Sequence, residues 1–129
     1  MFIKRISALL VCAALLSGLT ASAQAVEFPD VSTEHWAYAD IQKASEYGLI
    51  QGLEDGTFRP EETLNRASFV TILQRMFSWE DVLPASPSFS DVRPGDWYYA
   101  AAETARAHGV TGGETLCQPM AYITREDMA

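Results

Sequence analysis

Apolar residues recur at intervals of three or four positions in three segments of the chain. This spacing places them on one face of a helix, so each segment is predicted to form an amphipathic α-helix. The first segment carries Ala37, Ile41, Ala44 and Gly48. The second begins after Asn65 and carries Phe69, Ile72, Leu73, Met76 and Phe77, a strong apolar stripe. The third runs from about Trp97 to His108. The pattern predicts an all-α fold class.

Polar and glycine residues mark the ends of these helices. Ser32 or Thr33 is placed to cap the start of the first helix, because a hydroxyl can accept a hydrogen bond from a free backbone N–H. Gly48 and Gly109 lie where a helix ends in a left-handed residue, a conformation that suits glycine. We therefore expect the first predicted helix to stop at Gly48 and the third to stop at Gly109.

The segment between the first two helices, residues 51–63, is predicted to be a loop. Asp55-Gly56 indicates a tight turn, and Pro60 excludes a helix at its position. An Asp-Gly pair also occurs in calcium-binding loops. However, such loops need alternating Asp or Asn ligands and a later bidentate Glu, which this segment lacks. The turn is therefore the preferred interpretation, and no metal site is predicted.

The helices belong to an internal repeat with an offset of 61 residues over the first helix and 59 beyond it. Three matches define it: Phe28-Pro29-Asp30-Val31 with Phe89-Ser90-Asp91-Val92, Trp36-Ala37-Tyr38-Ala39 with Trp97-Tyr98-Tyr99-Ala100, and Arg66 with Arg125. Such self-similarity is typical of repeat architectures. We therefore predict two tandem helix-loop-helix units, residues 28–77 and 89–129, joined by a linker over residues 78–88.

The second unit stops soon after Asp127, whereas the matching helix of the first unit continues to Phe77. By analogy, the first helix of the second unit is expected to lack the apolar partner that should cover it. Two explanations follow: the sequence is a fragment of a longer protein, or the missing surface comes from another chain.

The N-terminal segment has the layout of a secretory signal peptide. Lys4 and Arg5 precede an apolar run over residues 6–19, and Ala21-Ser22-Ala23 fits a small-residue cleavage site. We predict removal of residues 1–25 and export of the rest. An uncleaved membrane anchor is the alternative; the polar residues of the run argue against it.

Export affects the interpretation of the two cysteines. Cys12 lies within the predicted signal peptide, so Cys117 alone remains and cannot form an internal disulfide. A buried, apolar Cys117 is favoured over a reactive thiol.

Composition and charge narrow the possible functions. The chain has 129 residues, of which 48% are hydrophobic and 11% aromatic, enough to bury a core. Lys4 and Arg5 are the only charges in the first 25 residues, so the remainder has 7 basic and 17 acidic side chains, a net charge of −10. This balance argues against nucleic acid and against charge-driven binding to an anionic membrane as partners.

No residue pattern indicates catalysis. The two histidines, His35 and His108, stand at opposite ends of their helices, without a nucleophile or metal motif around them. No phosphate-binding loop or serine-hydrolase motif occurs. We therefore predict that the chain is not an enzyme and needs no cofactor.

The combined motifs resemble the S-layer homology family over essentially the whole exported part of the chain. The first unit carries the resemblance in Phe28-Pro29-Asp30-Val31, His35-Trp36-Ala37, Gly48-Leu49-Ile50-Gln51-Gly52, Asp55-Gly56-Thr57-Phe58-Arg59-Pro60 and Asn65-Arg66-Ala67-Ser68-Phe69. The second unit diverges at Glu114-Thr115-Leu116-Cys117-Gln118-Pro119 and keeps Thr124-Arg125-Glu126-Asp127.

The resemblance implies a role in non-covalent anchoring of an exported protein to the bacterial cell wall. The implied partner is secondary cell-wall polysaccharide, often bearing pyruvate ketals, and the implied location is the cell wall or S-layer. Three such repeats usually form a pseudo-threefold bundle with binding grooves between neighbours, so this chain is an incomplete bundle that other repeats in trans could complete. Two alternatives remain: a self-association module without glycan affinity, and the N-terminal fragment of a larger secreted enzyme.

Two arginines are the first candidates for ligand contact. Arg66 and Arg125 occupy the first position of a helix, beside free N–H groups and the positive end of the helix dipole, and a guanidinium can bind a carboxylate bidentately. Asn65 and Thr124 are the capping residues beside them, and the acid three residues after Thr124 completes a capping box. The alternative for Arg66 is a surface ion pair with an acid such as Glu62.

Aromatic and acidic residues of the repeat are further candidates for the glycan site. Trp36 and Trp97 could stack on sugar rings, although packing between the two helices of a unit is the preferred interpretation. Asp30 and Asp91 could line a groove, although a structural role in capping the following turn is preferred.

Overall fold

The computed structural model describes residues 26–112 and 115–129, which contain three α-helices. These are α1 (Tyr38–Glu46), α2 (Arg66–Met76) and α3 (Tyr99–Ala107). The described residues form no strand, although one isolated β-bridge joins Asn65 to Tyr122. Over these residues the chain is therefore helical without a sheet, as predicted. The predicted signal peptide over residues 1–25 and part of the divergent loop, residues 113–114, lie outside the described residues. None of the described helices is long and apolar enough to cross a bilayer.

The helix ends agree with the glycine pattern. Gly48 follows α1 with φ +69°, and Gly109 follows α3 with φ +73°. In both places the next residue donates its N–H to a carbonyl five residues back, at 2.9 Å, which satisfies a free helix carbonyl. The prediction that both helices stop at these glycines is confirmed. Ser78 takes the same left-handed position after α2, with φ +51°.

The start of α1 differs from the prediction. The residue before the helix is Ala37, and no side chain caps it. The hydroxyl of Ser32 accepts instead from the N–H of Glu34, at 3.2 Å, within the turn that precedes the helix. Capping of α1 by Ser32 or Thr33 is therefore wrong, because these residues lie a full turn too early.

The first unit has a small core of its own. Phe28, Val31, Ala37 and Ile41 are buried together, and Tyr38, Ile50 and Phe58 pack against them. The rings of Phe28 and Phe58 lie 5.3 Å apart between centroids, so the entry segment and the loop after α1 meet in this core. Gly52 lies directly against the Phe28 ring with φ +73°, which leaves no space for a side chain at position 52.

Helix α2 packs across the boundary between the two units. It contacts α3, and these two are the only helices that pack together within the described ranges. The contact is made by Ala67 and Val70 of α2 and by Ala101, Ala102 and Ala105 of α3. Side chains this small allow two helices to approach closely.

This packing corrects two expectations. The first helix of the second unit does have a partner, because α2 covers it, and residues 101–105 are all buried. It is α1 that lacks a described helix against it, and only Ile41 and Ser45 of α1 are buried. The predicted apolar stripe of α2 is also only partly covered, since its last members, Met76 and Phe77, are exposed.

The predicted linker runs along α3 and is held to it. The Trp79 ring stacks on the His108 ring, with centroids 4.1 Å apart and planes 5° from parallel. Linker N–H groups also donate to α3 side chains: Val82 to Thr104 Oγ1 at 2.9 Å and Ser88 to Glu103 Oε1 at 2.8 Å. The linker thus supports the relative placement of α2 and α3.

Candidate functional site

The two units meet where the loop of the second unit lies against the start of α2. Three backbone hydrogen bonds join them: Arg66 N–H to Ala121 O at 2.9 Å, Ala67 N–H to Pro119 O at 2.9 Å, and Ile123 N–H to Leu64 O at 3.0 Å. Asn65 lies at the N-cap of α2, where its Oδ1 accepts from the N–H of Ser68 at 2.8 Å. The first three N–H groups of α2 are therefore all occupied. The expectation that they are open to a ligand is wrong for this helix, because two of them bond to carbonyls of the second unit and the third bonds to the Asn65 side chain.

A groove of about 560 Å³ lies beside this junction. Its walls come from both units: Glu61, Glu62, Thr63 and Asn65 from the first, and Met120 and Tyr122 from the second. Tyr122 is 71% exposed, so its ring is available to a ligand. The groove combines carboxylate, hydroxyl and amide groups with an aromatic face. Its volume is within the range of small-molecule sites, and these groups suit a hydroxyl-rich ligand such as a sugar.

Sequence reasoning missed Tyr122, Met120 and Glu61 as site residues. The repeat did contain a signal for them, since the offset of 59 matches Met120 to Glu61 and Tyr122 to Thr63. The same loop segment of each unit therefore forms one wall of the groove. The signal was hard to use because the matched residues differ in chemistry.

Arg66 does not line this groove, and its side chain contacts residues of the second unit. Its Nε donates to the carbonyl of Cys117 at 3.0 Å, and its Nη1 lies 3.9 Å from Oδ1 of Asp127. The side chain is 28% exposed. The alternative pairing of Arg66 with Glu62 is wrong, because Glu62 pairs with Arg59 at 3.1 Å. Arg66 thus connects the first unit to the loop and the last turn of the second.

The second arginine is in a different environment. The expectation that Arg125 occupies the first position of a helix is wrong, because residues 125–128 form a turn and no α-helix begins there. Arg125 is exposed, and no ion pair of its guanidinium is found in the described part of the chain. Beside it, Thr124 and Asp127 bond reciprocally: the Asp127 N–H donates to Thr124 Oγ1 at 3.2 Å, and the Thr124 N–H donates to Asp127 Oδ2 at 2.9 Å. This is the geometry of a capping box. The Thr124 N–H, its hydroxyl and the nearby Arg66 hold the pKa of Asp127 below its ordinary value.

Both candidate tryptophans lie on the surface. Trp36 is 86% exposed and Trp97 is 65% exposed. The preferred interpretation, core packing between the two helices of a unit, is therefore wrong, because α1 and α2 do not pack together. Trp36 is connected to the groove through its neighbour His35, whose Nε2 lies 3.2 Å from the groove carboxylate of Glu61.

Asp30 and Asp91 hold the loops of their units. Each carboxylate accepts two consecutive backbone N–H groups: Phe58 and Arg59 for Asp30, at 2.9 and 2.6 Å, and Cys117 and Gln118 for Asp91, at 2.8 and 2.7 Å. The hydrogen bond from Phe58 lowers the pKa of Asp30. The two aspartates thus fix both loops in the same way despite their different sequences, and Asp91 positions the segment that carries Tyr122.

Cys117 lies in the core of the second unit with Phe89, Val92 and Tyr98. Burial raises the pKa of its thiol, which suppresses the reactive thiolate. The prediction of a buried, apolar Cys117 is confirmed. Among residues 26–112 and 115–129, no group of three His, Cys, Asp or Glu side chains is arranged to hold a metal ion.

Comparison with known proteins adds to this geometry. The family model of the S-layer homology domain matches residues 27–70 and again residues 88–129, which confirms the two repeats. An S-layer protein, EA1, of Bacillus anthracis is 34% identical over 116 residues, covering 86% of this chain and 13% of that protein. A cellulosome-anchoring protein of Acetivibrio thermocellus is 30% identical over 134 residues, covering 97% of this chain and 30% of that protein.

An enzyme is also among the relatives. Endo-1,4-beta-xylanase A of Thermoanaerobacterium saccharolyticum is 32% identical over 117 residues, covering 88% of this chain and 10% of the enzyme. The chain thus spans less than a third of each of these relatives. The matched region is common to S-layer, anchoring and catalytic proteins, which supports cell-surface anchoring as its shared role and a location at the cell surface. The chain belongs to the S-layer homology domain family.

Proposed function

We propose that this chain binds a secondary cell-wall polysaccharide bearing pyruvate ketals and thereby holds an exported protein at the bacterial cell wall. The observation that carries the proposal is the groove at the junction of the two units, lined by Tyr122 and by polar groups of the first unit. The names of two relatives, an S-layer protein and a cellulosome-anchoring protein, support the anchoring part of the proposal.

The groove offers two kinds of sugar contact. The exposed Tyr122 ring can pack against the apolar face of a sugar, with its hydroxyl left in water. The carboxylates of Glu61 and Glu62 can accept hydrogen bonds from the sugar hydroxyls, and the Asn65 amide and the Thr63 hydroxyl can also donate to them. Trp36, next to the groove through His35, is a second stacking surface for a longer oligosaccharide.

The charge of the chain limits how a pyruvylated glycan can be held. The exported part has a net charge of −10, and Glu61 and Glu62 stand in the groove itself. An anionic ligand is therefore repelled at long range, although salt screens this repulsion beyond about 10 Å at ~0.1 M ionic strength. The ligand carboxylate must therefore be held at close range by a cation. Arg66 directly follows the groove residue Asn65 and Arg125 lies three residues after Tyr122, so these two arginines are the candidates.

The family arrangement, a pseudo-threefold bundle of repeats, is the second part of the proposal. The packing of α2 on α3 supports it, because each unit then covers the first helix of the next. In this arrangement α1 takes its cover from a further repeat, in the same chain or in another. The self-association alternative uses the same exposed surface without any glycan.

Retention by isolated cell walls tests the glycan proposal. The exported chain is incubated with purified sacculi that carry the secondary polymer and with sacculi from which it has been stripped. We expect retention on the first and at least tenfold less on the second. Retention that survives stripping, together with self-association in solution, would instead support the assembly module.

A matched pair of variants locates the contact. Tyr122→Ala removes the groove aromatic, whereas Tyr47→Ala removes an aromatic of similar exposure directly after α1, outside the groove. Truncation of an aromatic residue that anchors a ligand costs more than about 1 kcal/mol, so Tyr122→Ala should lower affinity for polymer-bearing walls by about tenfold. Tyr47→Ala should bind like the unmodified chain. Equal effects of the two substitutions would remove the groove from the proposal.

A further inference from the structure

Arg66 borders a cavity of about 20 Å³ that is separate from the groove. The residues that carry polar groups at its wall are Arg66, Thr111, Cys117 and Asp127, and the apolar lining residues are Phe69, Val70, Val110 and Ile123. A space of this size holds at most about one water molecule. A ligand carboxylate with its three heavy atoms does not fit, so Arg66 cannot receive one while the surrounding side chains keep their positions.

Asp127 is the only group of this wall with the chemistry of the proposed ligand. Its Oδ2 accepts hydrogen bonds from the N–H and hydroxyl of Thr124, at 2.9 and 2.8 Å. Its Oδ1 lies 3.9 Å from Arg66 Nη1, well beyond the 2.7–2.9 Å of a strong charged hydrogen bond. The carboxylate thus faces the guanidinium and is held mainly by Thr124.

The hydrogen bond of Arg66 with the Cys117 carbonyl favours replacement of Asp127 by a ligand carboxylate. The Cys117 carbonyl accepts from Nε at 3.0 Å and fixes the plane of the guanidinium. The Nη groups keep unused donor capacity toward a carboxylate. Two short, parallel hydrogen bonds between a ligand carboxylate and an arginine are therefore stronger than the single long contact that they replace.

We propose that Asp127 is an internal competitor that occupies the carboxylate position of Arg66 and must be displaced by the carboxylate of the ligand. This inference rests on the proposed function. It makes Asp127 a specificity-determining residue, because ligands that cannot form the two-pronged contact do not displace it. The first unit has Ser68 at the matching position, so the competing charge is a feature of the second unit alone.

Binding of a small defined ligand to the exported chain tests this. The probe is a methyl hexoside with a 4,6-linked pyruvate ketal, and its methyl ester is the uncharged control. Asp127→Asn removes the competing charge, while its side-chain oxygen can still accept from Thr124. Glu126→Gln is the matched control: it makes the same change in net charge at an exposed acid with no contact to Arg66. Circular dichroism verifies that both variants remain folded.

We expect calorimetry to show about three- to fivefold tighter binding of the ketal acid to Asp127→Asn, the range expected for loss of a partly exposed ion pair. Glu126→Gln should bind like the unmodified chain, and the methyl ester should bind all three proteins equally. Equal affinities of Asp127→Asn and Glu126→Gln for the acid, or weaker binding to Asp127→Asn, would overturn the inference.

The variant Arg66→Ala distinguishes refutation of the Asp127 competitor from refutation of glycan binding. If the acid binds and Arg66→Ala abolishes its binding, while Asp127→Asn changes nothing, the competitor is refuted and glycan binding stands. If neither the unmodified chain nor Asp127→Asn binds the acid, the inference is overturned, and the cell-wall assay decides separately whether the polymer is bound in another way.

Discussion

The helices α1 and α3 occupy the same place in the two repeats, yet their surroundings differ. Residues 101–105 of α3 are all buried, against α2 on one side and the linker on the other. In α1 only Ile41 and Ser45 are buried, and the helix rests on the Phe28 core of its own unit. A repeated sequence thus reproduces the local structure, whereas the surface that covers α3 comes from the unit that precedes it in the chain.

The side chains of the two helices reflect this difference. At the positions where α3 has Ala101 and Thr104, α1 has the exposed Asp40 and Lys43. Small side chains thus occupy buried positions of α3, and charged side chains occupy the matching positions of α1. We therefore expect substitutions at matched positions to affect stability unequally in the two units.

The largest effect should come from Gly52→Ala, which disrupts the core of the first unit. A Cβ at position 52 would collide with the Phe28 ring and lie 2.8 Å from the Thr57 carbonyl oxygen, in a backbone with φ +73°. The left-handed backbone and the overpacking together should lower the free energy of unfolding by about 3 kcal/mol. Urea unfolding monitored by circular dichroism measures the change.

Gly48→Ala is the control for backbone conformation. Its φ is +69°, but a Cβ there meets no atom within 4 Å. The cost should be about 1 kcal/mol, from the left-handed conformation alone. Equal costs for both alanines would show that the approach of Phe28 to Gly52 does not stabilise the first unit.

The next largest effect is the loss of stability from Ala105→Leu in α3, to be compared with that from the matched Ala44→Leu in α1. Ala105 is fully buried against α2, and the matched Ala44 of α1 is half-buried with no helix against it. Three added carbons should cost about 2 kcal/mol in the packed seam and less than about 0.5 kcal/mol on α1. Thermal unfolding of both variants tests this, and a larger loss for Ala44→Leu would reverse the comparison.

Acid should weaken the loop of the first unit. Hydrogen bonds from the Phe58 N–H hold the pKa of Asp30 below 3.8, and those from Thr57 lower the pKa of Asp55 to about 2. Because both pKa values fall on folding, the stabilisation is complete above the unfolded value of 3.8 and is lost as pH falls toward the folded values. Tm should therefore be level from neutral pH to about pH 5 and fall below about pH 4.

Asp30→Asn sharpens the acid experiment. The amide lacks the charge, so this variant should have a lower Tm at pH 7 and a smaller further loss in acid than the unmodified chain. An acid-induced loss of the same size in both proteins would show that Asp30 does not contribute to the pH dependence.

The smallest effect is a gain at the end of α2. Helices α1 and α3 end in a left-handed glycine, whereas Ser78 takes this position after α2 with φ +51°. Ser78→Gly relieves the strain of a side chain there and should raise stability by about 0.5–1 kcal/mol. Urea unfolding that shows no gain, or a loss, would indicate that the Ser78 side chain contributes a contact that offsets its backbone strain.

These comparisons also show how far the sequence could be interpreted. Gly48, Gly109 and the buried Cys117 were predictable because a helix end or a small apolar position depends mainly on local chemistry. The helix that packs against α2 was not predictable, because periodicity identifies an apolar face without specifying the helix that covers it. For the same reason the exposure of Trp36 was missed: an aromatic residue at a helix start suits either a core or a surface.

The candidate site was predictable only in outline. Arg66 and Asn65 were found from their positions at a helix start, where capping and charge follow simple rules. The contacts of Arg66 with Cys117 and Asp127 could not be predicted, because they join residues 51 and 61 positions apart in the sequence across the junction of the units. The aromatic wall, Tyr122, depends on the same long-range pairing.

The location of the bound glycan tests the central claim, that the junction of the two units forms the binding surface. Solubilised cell-wall polymer is titrated into the isotope-labelled exported chain, and amide shifts are followed by NMR. We expect the largest shifts to cluster at residues 61–66 and 120–127, with α1 beyond Tyr38 unaffected. Shifts concentrated on the exposed face of α1, with the junction unchanged, would contradict it.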